Sequence, residues 1–362
     1  MNALSPSSRQ AFDLPGSHLR TMTLQWHITE RCNLKCVHCY QEQPTSDELS
    51  YGELCLIIEQ FKALLQRQQE KNNASKIRGL INVTGGEPFL HRDFFDLLRV
   101  FAENRDYFDF GILTNGTLIN DTVAHRLREL KPAFVQVSLE GNQNKNDAIR
   151  GSGTFDKITA ALRYLTAQGI KTVVSFTAHR SNYQKFLDVA RIACELGVTR
   201  VWADRLIPCG AGLSLSSQVL TTEETREFFG IMYHSYCESQ KRFCNTEVFM
   251  GRALQFLVAG GEPYCCAAGD NLVALQPNGD LYPCRRMPIC VGNVLETPLV
   301  DLYAQSDLFR MLRHHEIPSA CESCAFSSKC RGGLKCLAYA IHGDPFLADP
   351  GCWRAVGKRT SN

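Results

Sequence analysis

The sequence has no strong net charge, no long apolar run and no tract of low complexity. Among its 362 residues basic and acidic side chains nearly balance, which leaves a formal charge of +2 at pH 7. Such a small charge creates no field that would attract nucleic acid or an anionic membrane. No apolar run approaches the roughly 18 residues that a membrane span needs, and residues 1–10 are too polar for a signal peptide. The sequence therefore predicts a cytoplasmic protein without nucleic-acid or membrane partners.

Cysteine, by contrast, is frequent and unevenly placed. The chain has 17 cysteines, and in a reducing compartment that number indicates metal binding more than disulfide bonds. Three lie between Cys32 and Cys39 and nine between Cys265 and Cys352, so both clusters need an explanation. The other five are scattered, as small buried side chains often are: Cys55, Cys194, Cys209, Cys237 and Cys244.

Between residues 21 and 208, short apolar runs alternate with amphipathic stretches. The apolar runs predict strands at 23–29, 77–83, 108–114, 133–139, 170–177 and 198–207. The stretches between them predict helices at 47–69, 92–104, 119–130, 155–168 and 182–196. Repeated βα units form a parallel sheet with helices outside it, and six strands are too few to close a TIM barrel. We therefore predict an α/β fold, a partial (β/α)6 TIM barrel.

The chain changes character near residue 260. The segment 221–258 has a mostly helical pattern, whereas glycine, proline and cysteine become frequent after Gly260. A segment of that composition buries little apolar surface, so metal clusters would have to stabilise it. The predicted organisation is a tail at 1–20, the barrel at 21–215, a helical bridge at 216–260 and a small Cys-rich C-terminal iron–sulfur domain at 261–362.

The first cysteine cluster has the spacing C-x3-C-x2-C, formed by Cys32, Cys36 and Cys39. It follows the first predicted strand, at the sheet edge where α/β folds carry their chemistry. Three thiolates can bind a cubane cluster at three irons and leave the fourth iron open. The alternatives are buried thiols or a zinc site with His38 as a further ligand, although His38 points away from a three-thiolate face in a simple turn.

With Tyr40 directly behind it, this motif resembles the signature of the radical S-adenosylmethionine (radical SAM) superfamily, and the resemblance extends over 21–208. It implies a [4Fe–4S] cluster on the three cysteines, which form the catalytic centre, and S-adenosylmethionine as cofactor. Reductive cleavage of that cofactor would give a 5′-deoxyadenosyl radical that removes a hydrogen atom from the substrate. An external electron donor of the flavodoxin or ferredoxin type is then expected.

The resemblance implies further cofactor contacts at the ends of the next strands. The sequence Gly-Gly-Glu-Pro ends the second strand and looks like the family's GGE motif, which holds the cofactor's amino group. Glycines let the backbone approach a ligand closely, and a carboxylate can accept from an ammonium. In similar proteins a serine and an arginine near the fourth strand contact the cofactor carboxylate, while Glu140 is either a ribose ligand or solvated. The implied cofactor-binding residues are Gly85, Gly86, Glu87, Asn115, Ser138 and Arg150.

The second cysteine cluster, over about 260–352, resembles the SPASM extension, a C-terminal domain of radical SAM maturases with auxiliary iron–sulfur clusters. The resemblance implies two auxiliary [4Fe–4S] clusters. The family pattern usually has a cysteine where this chain has Leu334, and Cys336 is the expected substitute. The fourth inner ligand stays open between Cys265, Cys290 and none, and zinc ribbons are the alternative. The implied ligands are Cys266, Cys284 and Cys336 for the inner cluster, and Cys321, Cys324, Cys330 and Cys352 for the outer one.

Proteins of this resemblance mostly modify peptides or proteins. The expected activity is that of a peptide maturase, an oxidoreductase that oxidises or crosslinks a peptide substrate. An anaerobic sulfatase maturase or a quinone-cofactor biosynthesis enzyme is the alternative. The sulfatase maturases generally have Asp after the cysteine equivalent to Cys284, where this chain has Arg285 and Arg286. These arginines could bind a substrate carboxylate or be solvated.

Two further expectations concern partners and class. Only about 20 residues precede the first strand, fewer than the N-terminal peptide-recognition domain of many peptide maturases needs. The substrate would then be captured by the barrel mouth or by a separate peptide-recognition protein. A non-catalytic iron–sulfur electron carrier is the alternative from another class, but it would not need the Gly-Gly-Glu motif.

Overall fold

The protein is described by a computed structural model over residues 21–41, 48–71, 77–241, 244–314 and 316–355. The predicted tail at 1–20 lies outside the described residues, as does residue 47, the predicted start of the first helix. Within the described ranges, no helix is both long enough and apolar enough to cross a membrane.

In the described part of the chain, nine strands form one sheet: β1 (Thr21–His27), β2 (Arg78–Thr84), β3 (Phe108–Thr114), β4 (Phe134–Ser138), β5 (Thr172–Ala178), β6 (Arg200–Arg205), β7 (Glu247–Phe249), β8 (Leu272–Leu275) and β9 (Leu281–Tyr282). Their order is β7-β6-β5-β4-β3-β2-β1-β8-β9. All neighbours are parallel except β8 and β9, which are antiparallel. Because β7 and β9 stand at opposite ends, the barrel is open. The predicted α/β partial barrel is confirmed, and its six strands are β1 to β6.

Helices connect the strands and cover the sheet. In the second helix, Phe94, Leu97, Leu98 and Phe101 are buried; this spacing puts them on one face, which packs on the sheet. The helices are α1 (Tyr51–Lys71), α2 (Phe94–Glu103), α3 (Asp121–Leu130), α4 (Gln143–Arg150), α5 (Thr154–Ala167), α6 (Phe186–Glu195), α7 (Thr222–Lys241), α8 (Phe256–Ala259), α9 (Leu299–Gln305), α10 (Asp307–His314), α11 (Ser327–Cys330) and α12 (Lys335–His342).

Before residue 260, two short elements were not predicted, α4 and β7. The polar helix α4 begins after Asn142, whose side chain accepts a hydrogen bond from the Lys145 backbone N–H, and ends at Gly151. That cap-and-glycine pattern could have indicated the helix. Strand β7 has only three residues, too few to show a period, and it lies in a segment predicted as mostly helical. Its pairing with β6 comes from tertiary contacts.

The C-terminal segment contributes to the barrel sheet itself. Strand β8 pairs in parallel with β1, from Thr23 opposite Leu272 to Trp26 opposite Leu275. The predicted boundary at residue 260 therefore falls within a continuous sheet, and the Cys-rich segment is hydrogen-bonded directly to the strand that precedes the first cysteine motif. This pairing fixes where the second set of cysteines lies relative to the first.

The core divides into a large part, a small part and a third cluster of side chains from β2 to β7, which are Leu80, Leu113, Phe134, Val173, Trp202 and Phe249. In the large one, between sheet and helices, the rings of Trp26, Phe61, Phe101 and Phe108 are completely buried and pack against one another. The smaller apolar cluster joins the end of the barrel to the C-terminal segment. It contains Ile207, Ala253, Cys266, Ala268, Met287, Leu334, Cys336 and Leu337.

Two of the scattered cysteines are not free thiols. Cys194, at the end of α6, forms a disulfide with Cys244, which is 50 residues further along the chain. The expectation that both are simply small buried side chains is therefore wrong. Their spacing along the chain gave no sign of the bond, because β6 and β7 must pair before the two segments become neighbours.

Candidate active site

The carboxyl ends of the parallel strands surround one cavity at the barrel mouth. Each of the first four strands ends in a residue or loop that lines it, because parallel strands present these ends at the same edge. Of the nine residues predicted for the catalytic centre and the cofactor, eight line this cavity: Cys32, Cys36, Cys39, Gly85, Gly86, Asn115, Ser138 and Arg150. The sheet therefore brings together residues that are up to 118 positions apart, from 32 to 150.

The loop of the first cysteine motif is held by backbone contacts to its neighbours. The Val37 N–H donates to the Ile149 carbonyl at 3.1 Å, which ties the loop to α4. The Leu34 N–H lies 3.4 Å from the Cys32 sulfur. Burial raises the pKa of the Cys32 thiol to about 11, so its thiolate needs positive charge nearby, which iron supplies. Three thiols around an open cavity fit a [4Fe–4S] cluster bound at three irons.

The third residue of the Gly-Gly-Glu motif does not line the cavity. The Glu87 side chain is completely buried and accepts hydrogen bonds from the Thr114 hydroxyl at 2.7 Å and the Asn115 N–H at 2.8 Å. Burial raises the pKa of this carboxyl to about 7. Glu87 therefore joins the ends of β2 and β3 and positions Asn115; Gly85 and Gly86 are the residues of this motif that face the cavity.

Arg150 links the cysteine loop to a buried carboxylate. Its Nη1 lies 3.8 Å from the Cys36 sulfur and its Nη2 donates to Glu140 at 2.5 Å. Glu140 also accepts from the Thr177 N–H and lies 3.2 Å from the His38 ring. Despite burial, Arg150 and His38 hold the pKa of Glu140 at about 2. Glu140 is thus a buried counter-ion, and the expectation that it is a solvated loop residue is wrong.

Two polar groups at this network retain capacity for a ligand. The Nε of Arg150 and the Nδ1 of His38 are buried and have no hydrogen-bond partner among the described residues, and both side chains line the cavity. The Ser138 hydroxyl lies 3.3 Å from the Ser175 hydroxyl on the next strand. The Arg150 guanidinium and the Ser138 hydroxyl can each donate to the carboxylate group of S-adenosylmethionine.

The inner set of cysteines lines a second cavity. Cys266, Cys284 and Cys336 all face it, together with Leu334. Burial raises the pKa of Cys336 well above its usual range, while the backbone amides of Ala268 and Lys335 donate towards the Cys266 sulfur. Amide donors to sulfur are a common feature of cluster ligands. Cys336 and Leu334 line the same cavity as Cys266 and Cys284, and the role of Cys336 as a cluster ligand stays a prediction.

The outer set of cysteines surrounds a third, smaller cavity. Phe256 and Phe326 lie beside it, and their rings contact each other at a centroid distance of 5.1 Å. The described residues contain no three His, Cys, Asp or Glu side chains placed as ligands of one metal ion. A cubane cluster binds its cysteines at separate irons, so its ligands need not converge on one point. The cysteines at this cavity are Cys321, Cys324, Cys330 and Cys352.

Neither candidate for the fourth inner ligand lines the inner cavity. Cys290 is exposed and contacts the Gly292 carbonyl, and Cys265 is half-buried beside Cys266. By contrast, Cys209, which the sequence placed among the scattered thiols, packs against the same apolar cluster as Cys266. Burial raises the pKa of Cys209 to about 11, and the charges of Cys284 and Cys39 add to this effect, so this thiol lies near both cysteine sites.

The two arginines after Cys284 have different surroundings. Arg286 and Arg252 each form an ion pair with Asp204 at 3.0 Å. Arg285 instead lies over the ring of Tyr40, with its guanidinium carbon 5.5 Å from the ring centroid. Both Arg285 and Arg286 line the mouth cavity as well as the inner one. The expectation that they are solvated surface residues is wrong.

Comparisons with known proteins agree with this geometry. Residues 26–193 match the family model described as the radical SAM superfamily, and residues 265–325 match the SPASM model, described as an iron–sulfur cluster-binding domain. The chain is 30% identical over 333 residues to the mycofactocin maturase MftC of Mycolicibacterium smegmatis, covering 87% of this chain and 78% of that protein. It is 26% identical over 354 residues to the AdoMet-dependent heme synthase of Nitratidesulfovibrio vulgaris, covering 91% of both chains.

A solved structure shows the same fold. The crystal structure of Streptococcus suis SuiB bound to its precursor peptide SuiA superimposes with a TM-score of 0.67, at 18% identity, covering 91% of this chain and 75% of that one. The matched families consist of enzymes that use S-adenosylmethionine and a [4Fe–4S] cluster, with auxiliary iron–sulfur clusters in the SPASM domain. A non-catalytic electron carrier does not fit them. The chain therefore belongs to the radical SAM superfamily and is an enzyme of that family with a C-terminal SPASM domain.

Proposed function

We propose that the chain is a peptide or protein maturase that oxidises or crosslinks its substrate. The observation that carries this proposal is the adjacency of two cysteine-lined cavities. The mouth cavity, lined by Cys32, and the inner cavity, lined by Cys284, share four lining residues. A substrate at this common wall would have a radical source on one side and an electron acceptor on the other. The shared residues are Leu113, Trp202, Arg285 and Arg286.

The chain's own side chains would bind and orient the reactants. When bound, the cluster and S-adenosylmethionine supply the 5′-deoxyadenosyl radical that abstracts hydrogen. Gly86 permits close backbone approach, while Arg150 and Ser138 are suited to the cofactor carboxylate. Leu113 and Trp202 supply apolar walls, which hold the reacting carbon in place and exclude water from the radical.

Two relatives support a peptide substrate. MftC, at 30% identity, is a maturase, and SuiB, which shares the fold, was crystallised with a precursor peptide. We propose that an external flavodoxin or ferredoxin reduces the first cluster. Either the barrel mouth itself or a separate recognition protein would present the peptide. The sulfatase-maturase alternative is less favoured, because Arg285 stands where those enzymes generally have Asp.

A second candidate substrate is a tetrapyrrole. It is favoured by the heme synthase relative, whose match covers 91% of each chain at 26% identity. The radical source would be the same, and only the substrate would change. The two candidates therefore differ in the substrate that stimulates turnover.

The test is anaerobic turnover of the reconstituted enzyme with S-adenosylmethionine and a low-potential reductant. Small peptides encoded beside the gene form one arm, and a panel of free-base and iron tetrapyrroles forms the other. We expect 5′-deoxyadenosine, and a peptide product changed in mass, in the first arm only. The Cys32→Ala/Cys36→Ala/Cys39→Ala variant should produce neither, whereas Cys55→Ala, a free cysteine on α1, should behave as wild type. Normal cleavage by the triple variant would refute the proposed radical site.

A further inference from the structure

Three arginines and one carboxylate meet where the mouth cavity joins the inner cavity. Asp204 accepts from Arg252 and from Arg286, each at 3.0 Å. Arg285 has no hydrogen-bond or ion-pair partner among the described residues, although its side chain is only half-exposed and lies inside the molecule. The group therefore contains three positive charges and one negative charge, and the uncompensated guanidinium at the shared wall is that of Arg285.

The position of Arg285 is fixed by an aromatic ring. Its guanidinium lies 5.5 Å from the centroid of Tyr40, and Tyr40 directly follows Cys39 in the first cysteine motif. A guanidinium over an aromatic ring is attracted to the ring electrostatically, and this contact uses none of its N–H groups in a hydrogen bond. Arg285 is thus positioned between the two cysteine sites with donors available to a molecule in the cavity.

A cation without a partner is costly in a desolvated cavity, and an anionic ligand removes that cost. Because Asp204 is already engaged by two other arginines, no rearrangement of this group would give Arg285 a carboxylate of its own. The planar fork of a guanidinium matches a carboxylate in a bidentate pair. The electrostatic design of the cavity thus favours a ligand that carries a carboxylate.

We infer that Arg285 is the carboxylate-binding residue of the substrate site, and that the substrate presents a free carboxylate to it. The inference rests on the proposed function for its assignment to the substrate. In a peptide the carboxylate is either the C-terminus or an acidic side chain. Bound at Arg285, which lines both cavities, it would anchor that part of the substrate between Cys39 and Cys284, with the adjoining carbons in the mouth cavity.

The test compares the binding of three tripeptides to the reconstituted holoenzyme with S-adenosylmethionine, by anaerobic calorimetry. They are acetyl-Ala-Phe-Ala with a free C-terminus, the same peptide amidated, and amidated acetyl-Ala-Phe-Asp. We expect at least one of the two carboxylate peptides to bind about tenfold more tightly than the neutral amide, as a charge-assisted pair allows. Which of the two does so identifies the source of the carboxylate.

Variants assign this preference to Arg285. In Arg285→Gln the acid and the amide should bind equally, and Arg285→Lys should keep part of the preference. Arg126→Gln is the matched control, because Arg126 also lies over an aromatic ring, 3.5 Å from the Phe95 centroid, but on an exposed face of α3. A preference that survives in Arg285→Gln, or that is absent in wild type, would overturn the inference.

A measurement on the wild-type protein tests the same inference without relying on variants that must fold. Phenylglyoxal modification of Arg285, followed by mass spectrometry, should be blocked by the preferred carboxylate peptide and not by the amidated control. Equal labelling with acid and amide would mean that Arg285 balances only the charge of the inner cluster, which contradicts the inference. Formation of 5′-deoxyadenosine is measured separately, so a failure of the proposed radical chemistry is distinguishable from a failure of carboxylate binding.

Discussion

Arg150 contacts two chemically different groups, a cysteine sulfur and a buried carboxylate. Its Nη2 pairs with Glu140 at 2.5 Å, and its Nη1 lies 3.8 Å from the Cys36 sulfur. One guanidinium thus neutralises Glu140, and the same side chain also lines the cofactor cavity; its buried Nε has no partner in the described protein. The sequence indicated that Arg150 contacts the cofactor, but it did not indicate the ion pair with Glu140.

Replacement of Arg150 by alanine should weaken cofactor binding. We expect a loss of about 1.5–3 kcal/mol, the range for a hydrogen bond to a charged group, measured as the affinity for S-adenosylmethionine at constant iron content. Arg163→Ala, on the exposed face of α5, serves as the control. Unchanged affinity of Arg150→Ala for S-adenosylmethionine would show that Arg150 pairs with Glu140 and does not contact the cofactor.

The Arg150→Ala substitution should also change the pH at which the protein unfolds in acid. Because the folded-state pKa of Glu140 lies at about 2, below its ordinary 4.5, this carboxylate stabilises the fold above pH 4.5, and the contribution is lost as pH falls towards 2. Without Arg150 the folded-state pKa should rise. Acid unfolding of Arg150→Ala should therefore begin at higher pH than that of wild type or of Arg163→Ala. Circular dichroism follows the unfolding of all three proteins.

Cys336 should be needed for the inner auxiliary cluster. With three [4Fe–4S] clusters the wild type should bind about twelve irons, and Cys336→Ala about eight. Iron analysis with Mössbauer spectroscopy measures both. Cys290→Ala is the control, since Cys290 is exposed and outside the cavity. Full iron content in Cys336→Ala would show that Cys336 does not replace the ligand that the family pattern usually has at the position of Leu334.

Among the elements, the loops after β1 and β2 pack so closely that glycine is required. A Cβ at Gly86 would lie 2.4 Å from the Arg31 carbonyl oxygen and 2.6 Å from that of Glu30. Both neighbours are backbone of the segment that leads into Cys32 and cannot rotate away. The glycine thus supports the cysteine loop as well as the cofactor surface that the motif predicted.

Gly86→Ala should displace the cysteine loop. We expect a loss of about 1–3 kcal/mol in stability, as for other overpacked sites, together with loss of iron from the first cluster and of cofactor cleavage. The measurements are thermal unfolding, iron content and 5′-deoxyadenosine yield. Gly52→Ala, on α1 with no atom within 4 Å of the added Cβ, should be neutral or stabilising. Normal iron and cleavage in Gly86→Ala would contradict this packing argument.

For the whole molecule, a buried ion pair joins the barrel to the C-terminal segment. Arg205, at the end of β6, donates to both oxygens of Asp349 at 2.8 and 2.6 Å, and neither side chain is appreciably exposed. Asp349 also accepts from the Leu334 and Gly351 backbone amides at 2.9 Å. This carboxylate therefore fixes both the segment that leads to Cys336 and the segment that leads to Cys352.

Asp349→Asn should destabilise the molecule by about 3–5 kcal/mol, because it leaves Arg205 buried without its counter-ion. Thermal unfolding should show the loss, and iron analysis should show reduced auxiliary clusters with the first cluster retained. Glu262→Gln breaks an exposed pair with Lys329 in the same part of the chain and should cost no more than about 1 kcal/mol. Equal stability of the two variants would contradict the argument that Asp349 connects the C-terminal segment to the barrel.

Much of the fold and site followed from local pattern. Phe108–Thr114 was predicted to the residue as a strand, because a short, mostly apolar run can be recognised from neighbouring positions alone. The spacing of Cys32, Cys36 and Cys39 likewise indicated its own chemistry, since ligands within one loop depend on few torsions. Glu87 shows the limit: the motif drew attention to this residue, but its orientation away from the cavity depends on Thr114, the last residue of β3, and on Asn115, which follows it.

The sequence by itself determined the elements of the barrel, the two cysteine sets and the family. Only the tertiary structure decided that β8 pairs with β1, that Cys194 joins Cys244, that Asp349 neutralises Arg205 and that Arg285 is left without a counter-ion. The physical reason is separation along the chain. Periodicity and ligand spacing act within a few residues, whereas these contacts join positions 50 to 250 residues apart, and their formation depends on how the whole chain packs.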